Sequence, residues 1–217
     1  MTGLDAELWP IVWLSLRVAG AALLLSAFLG VPLGTWLALA RFRGKRLVSV
    51  VVYTGMGLPP VVVGLAVYLL LSRSGPLAEL GWLFTPQAMI LAQAVIALPL
   101  VTGITLAAVA AVPPELHQQV RSLGAGPWQA RWAVLRDARA GVIVALAAAF
   151  GRVIAEVGAA LMVGGNIQGH TRVLTTAIVL ETGKGQFALA LALAGWLLAL
   201  TLAVNAAILG LQGRPTP

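Results

Sequence analysis

Arg152 and Glu156 stand four residues apart in a run, Ala140 to Val163, that carries no other charge. Left alone at mid-bilayer, each would cost about 2.5 to 3.5 kcal/mol, so ionisable groups in such a stretch mark function. On a continuous helix a spacing of four puts both on one face, one turn apart, and predicts a direct ion pair. Two roles fit such a pair. It can lock a helix bundle from inside, or Arg152 can give a positive wall to an anion path while Glu156 limits its strength, because a conduit must also release.

Further donors follow on the C-terminal side. Gly164, Gly165 and Gly169 flank Asn166 and predict a tight turn, with backbone N–H groups able to hold an anion or simply to close the bundle. Thr171, Thr175, Thr176 and Arg172 add oxyanion-compatible donors. Arg17, near the start of an apolar run, either attracts an anion at an entrance or snorkels to headgroups. No enzyme chemistry is expected. Gly183-Lys184-Gly185 lacks the preceding Gly and the Ser or Thr of a phosphate loop, and neither a G-x-S-x-G elbow nor an H-E-x-x-H pair occurs. With no cysteine, and with His117 and His170 far apart, no metal site or thiol nucleophile is predicted.

The elements that position these residues follow from composition. Of 217 residues, 60% are hydrophobic and 10% charged, against about 25% charged in a soluble domain. A bilayer is the expected surrounding. Uncharged runs at Val18 to Ala40, Leu47 to Leu71, Met89 to Val112 and Phe187 to Leu211 reach the roughly 20 residues a spanning helix needs. With Ala140 to Val163 they predict five transmembrane helices in one all-α domain, residues 1–217, the first helix starting near Pro10. Asp5 and Glu7 occupy a start without Lys or Arg, so the first span is not expected to be a cleaved signal.

Net charge is +7, and its placement predicts topology, not a nucleic-acid partner. Arg41, Arg43, Lys45 and Arg46 fill one loop, Arg121, Arg131, Arg136 and Arg139 another, and Arg214 the tail; opposite lie Arg73, Arg172 and Lys184. The positive-inside rule then sets the N-terminus outside and the C-terminus in the cytoplasm.

Breakers punctuate the spans: Gly30, Pro32 and Gly34; Gly55, Gly57, Pro59, Pro60 and Gly64; Pro99 and Gly103. Lipid cannot satisfy backbone that a proline frees, so these positions belong inside a bundle or beside water. Gly30 and Gly34 also form a GxxxG pair suited to close helix packing. Between spans, Pro113 to Gly124 predicts a short helix with Pro in its first turn, Glu115 at its positive end and Gly124 as a left-handed C-cap. A second is predicted from Pro127 to Leu135. The pair can lie on the membrane surface or dock a cytoplasmic partner.

Phe150 to Thr182, FGRVIAEVGAALMVGGNIQGHTRVLTTAIVLET, resembles the corresponding stretch of permeases from ATP-driven molybdate and tungstate importers. Gly164-Gly165-Asn166-Ile167 followed by Thr171-Arg172 is most similar to the tungstate branch. Leu58-Pro59-Pro60-Val61-Val62-Val63-Gly64 and Leu98-Pro99-Leu100 resemble breaks in the second and third spans of that family. Leu123-Gly124-Ala125-Gly126-Pro127-Trp128 is similar to the glycine region of its coupling loop, here residues 113–139. Gln118, Gln119 and Val120 depart from the loop's Glu-Ala-Ala, and Arg136-Asp137 from its Leu-Pro.

The resemblance implies the fold of a type I importer permease, a homodimer with the path at its twofold axis. Implied partners are a cytoplasmic ABC ATPase that binds ATP and Mg, and an extracytoplasmic oxyanion-binding protein; no cofactor is expected in this chain. Glu115, Gln118, Gln119, Arg121 and Gly124 would couple to the ATPase. Gly57, Pro59 and Pro60 would join Arg152 and Glu156 along the path or in the bundle, and Asn166, Thr171 and Arg172 would form an outer turn on which the binding protein could dock. Molybdate or sulfate are alternative substrates in the same class. A secondary anion carrier using Glu156 as a proton site is the rival from another class, and the lack of an inverted repeat argues against it.

Overall fold

The computed structural model describes residues 2–212, apart from the side chains of residues 2–7 and of His117. The Asp5, Glu7 and His117 side chains and Arg214 therefore lie outside the described residues. Ten α-helices and no strand occur among those described: α1 (Thr2–Leu39), α2 (Lys45–Met56), α3 (Pro60–Leu71), α4 (Pro86–Ala110), α5 (Pro114–Ser122), α6 (Pro127–Asp137), α7 (Arg139–Ile154), α8 (Gly158–Gly164), α9 (Leu174–Gly183) and α10 (Phe187–Gly210). Residues Leu8–Leu39 of α1, with α4 and α10, are long and apolar enough to cross a bilayer unbroken. The α2–α3 and α7–α8 pairs meet the same test jointly but bend by 99° and 58°. Crossings thus number three among the described residues, or up to five if each bent pair is one.

The α1–α4 pair is the frame. A Cβ on Gly34 would lie 2.5 Å from the Thr102 carbonyl oxygen and 2.9 Å from Thr105 Cβ, and one on Gly30 would lie 3.0 Å from Val101 Cγ1. Nothing larger than glycine allows this approach, which replaces the missing hydrophobic drive between helices in lipid with close van der Waals packing. The Ser26 hydroxyl donates to the Ala94 carbonyl at 3.1 Å farther up the same seam. Numbers rise together along both helices, so the two run parallel.

The core forms in tiers along this frame. Val18, Val63, Met89, Ala92, Ala159 and Val163 pack together toward one end, Ala97, Val101, Phe150 and Val153 in the middle, and Val109, Val134 and Ala138 at the other end. That last tier ties α6 to the end of α4, with Leu39 of α1 against it. Lys45 closes α1 by donating from Nζ to the carbonyls of Ala38 at 2.7 Å and Ala40 at 3.1 Å, a cation on unpaired C-terminal carbonyls. On the far side α10 leaves Leu191, Leu198 and Leu202 more than two-thirds exposed, an apolar face suited to lipid.

The α1 helix has 38 residues, about 57 Å of helix against a hydrocarbon core of about 30 Å. Counting about 20 residues back from Leu39 sets the opposite hydrocarbon boundary near Gly20, and the same count from Ala110 sets it near Leu91. Arg17 and the start of α4 therefore share one level.

Gly34→Ala is expected to lower folded yield or detergent stability by about 1–3 kcal/mol, the scale of overpacking a filled core. Gly20→Ala, where a Cβ meets nothing within 4 Å, should stay close to the parent, and thermal unfolding of the two in one detergent checks the contrast.

Candidate functional site

The four-residue spacing that predicts an Arg152–Glu156 ion pair assumes a continuous helix, and the helix is not continuous. The α7 helix ends at Ile154, and Ala155 to Val157 unwind before α8 begins. Glu156 is 6% exposed, and its Oε1 accepts the Ala159 N–H at 3.0 Å. The carboxylate thus stands in for the missing preceding turn and satisfies one orphan donor of α8. Arg152, by contrast, is exposed on the surface of the single chain. Lys184–Glu181, at 2.8 Å, is the one ion pair among the described residues, so the internal lock formed by Arg152 and Glu156 is corrected.

The second break lies beside the first. Gly57 and Pro59 are exposed and Pro60 is half-buried as the first residue of α3, with Pro59 extended at φ −63°, ψ 123°. A Cβ on Gly158 would lie 2.8 Å from Val61 Cγ2, and one on Gly64 2.8 Å from the Ala159 Cα. Two unwound segments are thereby held side by side, with Leu58, Val61 and Val62 left exposed around them. Non-helical backbone at membrane depth persists only where protein or water covers it. A surface with two such segments is therefore poorly suited to hydrocarbon, and so is the exposed guanidinium of Arg152.

The turn at residues 164–173 is built inward. Asn166 takes φ 52° and Gly165 φ 72°, the left-handed pair that reverses the chain after α8. Thr171 is fully buried; its hydroxyl donates to the Gly164 carbonyl at 2.5 Å and accepts the Ile167 N–H at 2.9 Å. The Thr175 hydroxyl donates to the Glu156 carbonyl at 2.9 Å, tying α9 to the α7–α8 break, and Thr176 accepts the Val173 N–H at 3.1 Å as a cap for α9. Ser15 of α1 accepts the Leu174 N–H at 2.8 Å. All three threonine hydroxyls are therefore engaged by backbone. Arg172 is half-buried, gives one weak Nη2 bond to the Asn166 carbonyl at 3.5 Å, and keeps a buried Nε without a partner.

A feature absent from the sequence reading joins Arg172 to Arg17. Both line a cavity of about 480 Å³ with Trp13, Gln87 and His170, and with Thr85 and Pro86 at the start of α4. The Thr-Pro step at a helix start was the available signal, but nothing local ties Thr85 to Arg17, 68 positions upstream, and Arg172, 87 downstream.

Away from these breaks, α5 stands out from the bundle with Glu115, Gln118, Gln119 and Arg121 all exposed. Gly124 takes φ 89°, its N–H reaching the Arg121 carbonyl at 3.0 Å while the Ala125 N–H reaches Val120 at 3.2 Å. These two bonds form a Schellman cap, as the sequence predicts. Gln129 Oε1 accepts the Gly126 N–H at 2.8 Å and starts α6. Leu123, Trp128 and Trp132 are 87%, 74% and 60% exposed, leaving an apolar face on this end.

Residues 30–212 match the family described as the inner membrane component of binding-protein-dependent transport systems. The chain belongs to this family. It is accordingly a multi-pass inner-membrane protein. A protein of Haloferax volcanii named as a probable anion ABC transporter permease is 48% identical over 197 residues, 88% of this chain and 85% of that one. The tungstate uptake system permease protein TupB of Peptoclostridium acidaminophilum is 40% identical over 212 residues, 98% of this chain and 93% of its own. Among solved structures, a chain of the inward-facing MetNI methionine ABC transporter superposes with a TM-score of 0.70 at 18% identity, covering 96% of this chain and 99% of that one. That likeness is one of fold, and it carries the type I importer architecture expected from the sequence.

Substituting Arg152→Ala and Glu156→Gln singly and together should give a coupling energy within about 0.5 kcal/mol of zero in detergent, the additivity expected of groups that do not touch. A coupling above about 1 kcal/mol would restore the pair.

Proposed function

We propose that this chain is the permease subunit of an ATP-driven importer of tungstate. The observation that carries the reading is the 40% identity to a tungstate uptake permease along 98% of the chain, supported by 48% identity to a probable anion permease. Five spans with the N-terminus outside fit the charge distribution, since the basic residues of the 41–46 loop and Arg131, Arg136 and Arg139 lie toward the end marked by Leu39 and Val109.

Two copies would pair about the face that holds Arg152 and the two broken spans. Pairing covers the unwound backbone and gives the guanidinium water or protein in place of lipid, where it would cost about 2.5 to 3.5 kcal/mol. The exposed α5 would seat in a cleft of a cytoplasmic ATPase, which binds ATP and Mg. Because Val134 and Ala138 pack on Val109 with Leu39 alongside, a push on α5 and α6 reaches the ends of α1 and α4 directly. An extracytoplasmic binding protein would deliver the anion on the side of residues 165–173. Alternating access then opens the seam between copies to one side at a time.

In a reconstituted complex, ATP hydrolysis should rise when the binding protein is loaded with tungstate, and less with molybdate or sulfate. Absence of stimulation by any of the three in an intact complex overturns the reading, and anion flux without ATP would replace it with the carrier. Gly124→Leu places a side chain at φ 89°, costing about 1–2 kcal/mol. It is expected to leave insertion unchanged while lowering the tungstate taken up per ATP hydrolysed.

A further inference from the structure

We propose that the cavity between α1, the start of α4 and the 165–173 turn binds a tetrahedral oxyanion group, held between Arg17 and Arg172. No acidic side chain lines it: its walls are Pro10, Ile11, Trp13, Leu14 and Arg17 from α1, Thr85, Pro86 and Gln87 from α4, and Gly169, His170 and Arg172 from the turn. Both guanidiniums are permanently charged and present several donors each in a fork that matches a tetrahedral anion. Arg17 has no hydrogen-bond or ion-pair partner among the described residues, and Arg172 Nε is buried without one. Two like charges brought to one cavity, each with donors left unfilled, call for an anion between them.

A third contribution comes from α4. Thr85 does not cap it, because its hydroxyl turns back to the Trp82 carbonyl at 2.5 Å. The first turn of a 25-residue helix is left with its N–H groups and positive dipole end uncapped by any side chain. At about 480 Å³ the space falls in the range of small-molecule sites, and it sits at the outer boundary of the hydrocarbon as counted along α1 and α4.

Two sources can supply the group. One is a free tetraoxoanion arriving from outside, an arm that rests on the oxyanion reading above. The other is the phosphate of an outer-leaflet phospholipid, for which Ile11, Trp13 and Leu14 offer an apolar wall; that arm is independent of the reading.

The test uses the purified permease alone, without ATPase or binding protein, so that its failure and failure of the importer reading are read apart. In one arm tungstate, sulfate and phosphate are titrated into delipidated protein by calorimetry. In the other, native mass spectrometry counts phosphatidylglycerol retained in mild detergent. Binding in either arm should fall at least tenfold in Arg17→Gln and in Arg172→Gln, and stay within twofold in Arg73→Gln. Should Arg172→Gln fold poorly, Gln87→Glu serves instead: the residue is exposed, and its carboxylate at the second helical position would occupy the cavity and exclude the anion. Binding in one arm with this pattern supports the site and names its source. No binding in both arms, or binding that survives Arg17→Gln and Gln87→Glu in folded protein, overturns it.

Discussion

A backbone without water must find its hydrogen bonds within the protein, and this fold depends on how that requirement is met where two of its spans break. At the α7–α8 break a carboxylate does what a preceding helical turn would have done, and Thr175 of α9 takes up a carbonyl of the same segment. At the α2–α3 break two prolines remove donors instead of supplying acceptors. Glycines at 64 and 158 then press α3 and α8 together so that each break shelters part of the other. What remains open includes Leu58, Val61 and Val62, the surface to which the proposed second copy is assigned.

The rest of the bundle is rigid by comparison. The glycine seam of α1 and α4 fixes two parallel rods, and the tier around Val109 and Val134 bolts α6 to their ends. Under the proposed docking of α5, a force applied there would have a stiff route along α1 and α4, and the compliant places would be the two breaks. Stiff rods joined to interrupted ones give a subunit that can change the shape of its seam without repacking its core.

Much of this was legible in the sequence. Apolar runs and their charged flanks matched the helix ends to within a few residues except at the start of α1, which reaches back to Thr2, and Pro59-Pro60 announced the sharper break. Pro114, Glu115 and Gly124 marked a helix from start to cap because each acts through its own local backbone. The α7–α8 break stayed hidden because no proline marks it: Ala155-Glu156-Val157 reads as helix, and only tertiary contacts from α3 and α9 stabilise the unwound form. The same limit applies to Thr171, Thr175 and Thr176, whose hydroxyls look available until their long-range partners are known. The short α9 was likewise missed, since its ten residues are fixed to α1 and the break, not by periodicity of their own. The cavity joining Arg17 to Arg172 belongs to this class, a product of three segments that meet only in the folded chain.

The parallel pairing of α1 and α4 carries a consequence for biosynthesis. Ser26 meets Ala94 across 68 residues of intervening chain, and a ribosome working at about 5–20 residues per second needs about 3–14 seconds to make them. For that interval α1 has to reside in the bilayer with its glycine groove unfilled and Arg17 just beyond its uncharged stretch. Its uncharged stretch below Arg17 is long enough to hold it there unaided, so the groove can wait for its partner.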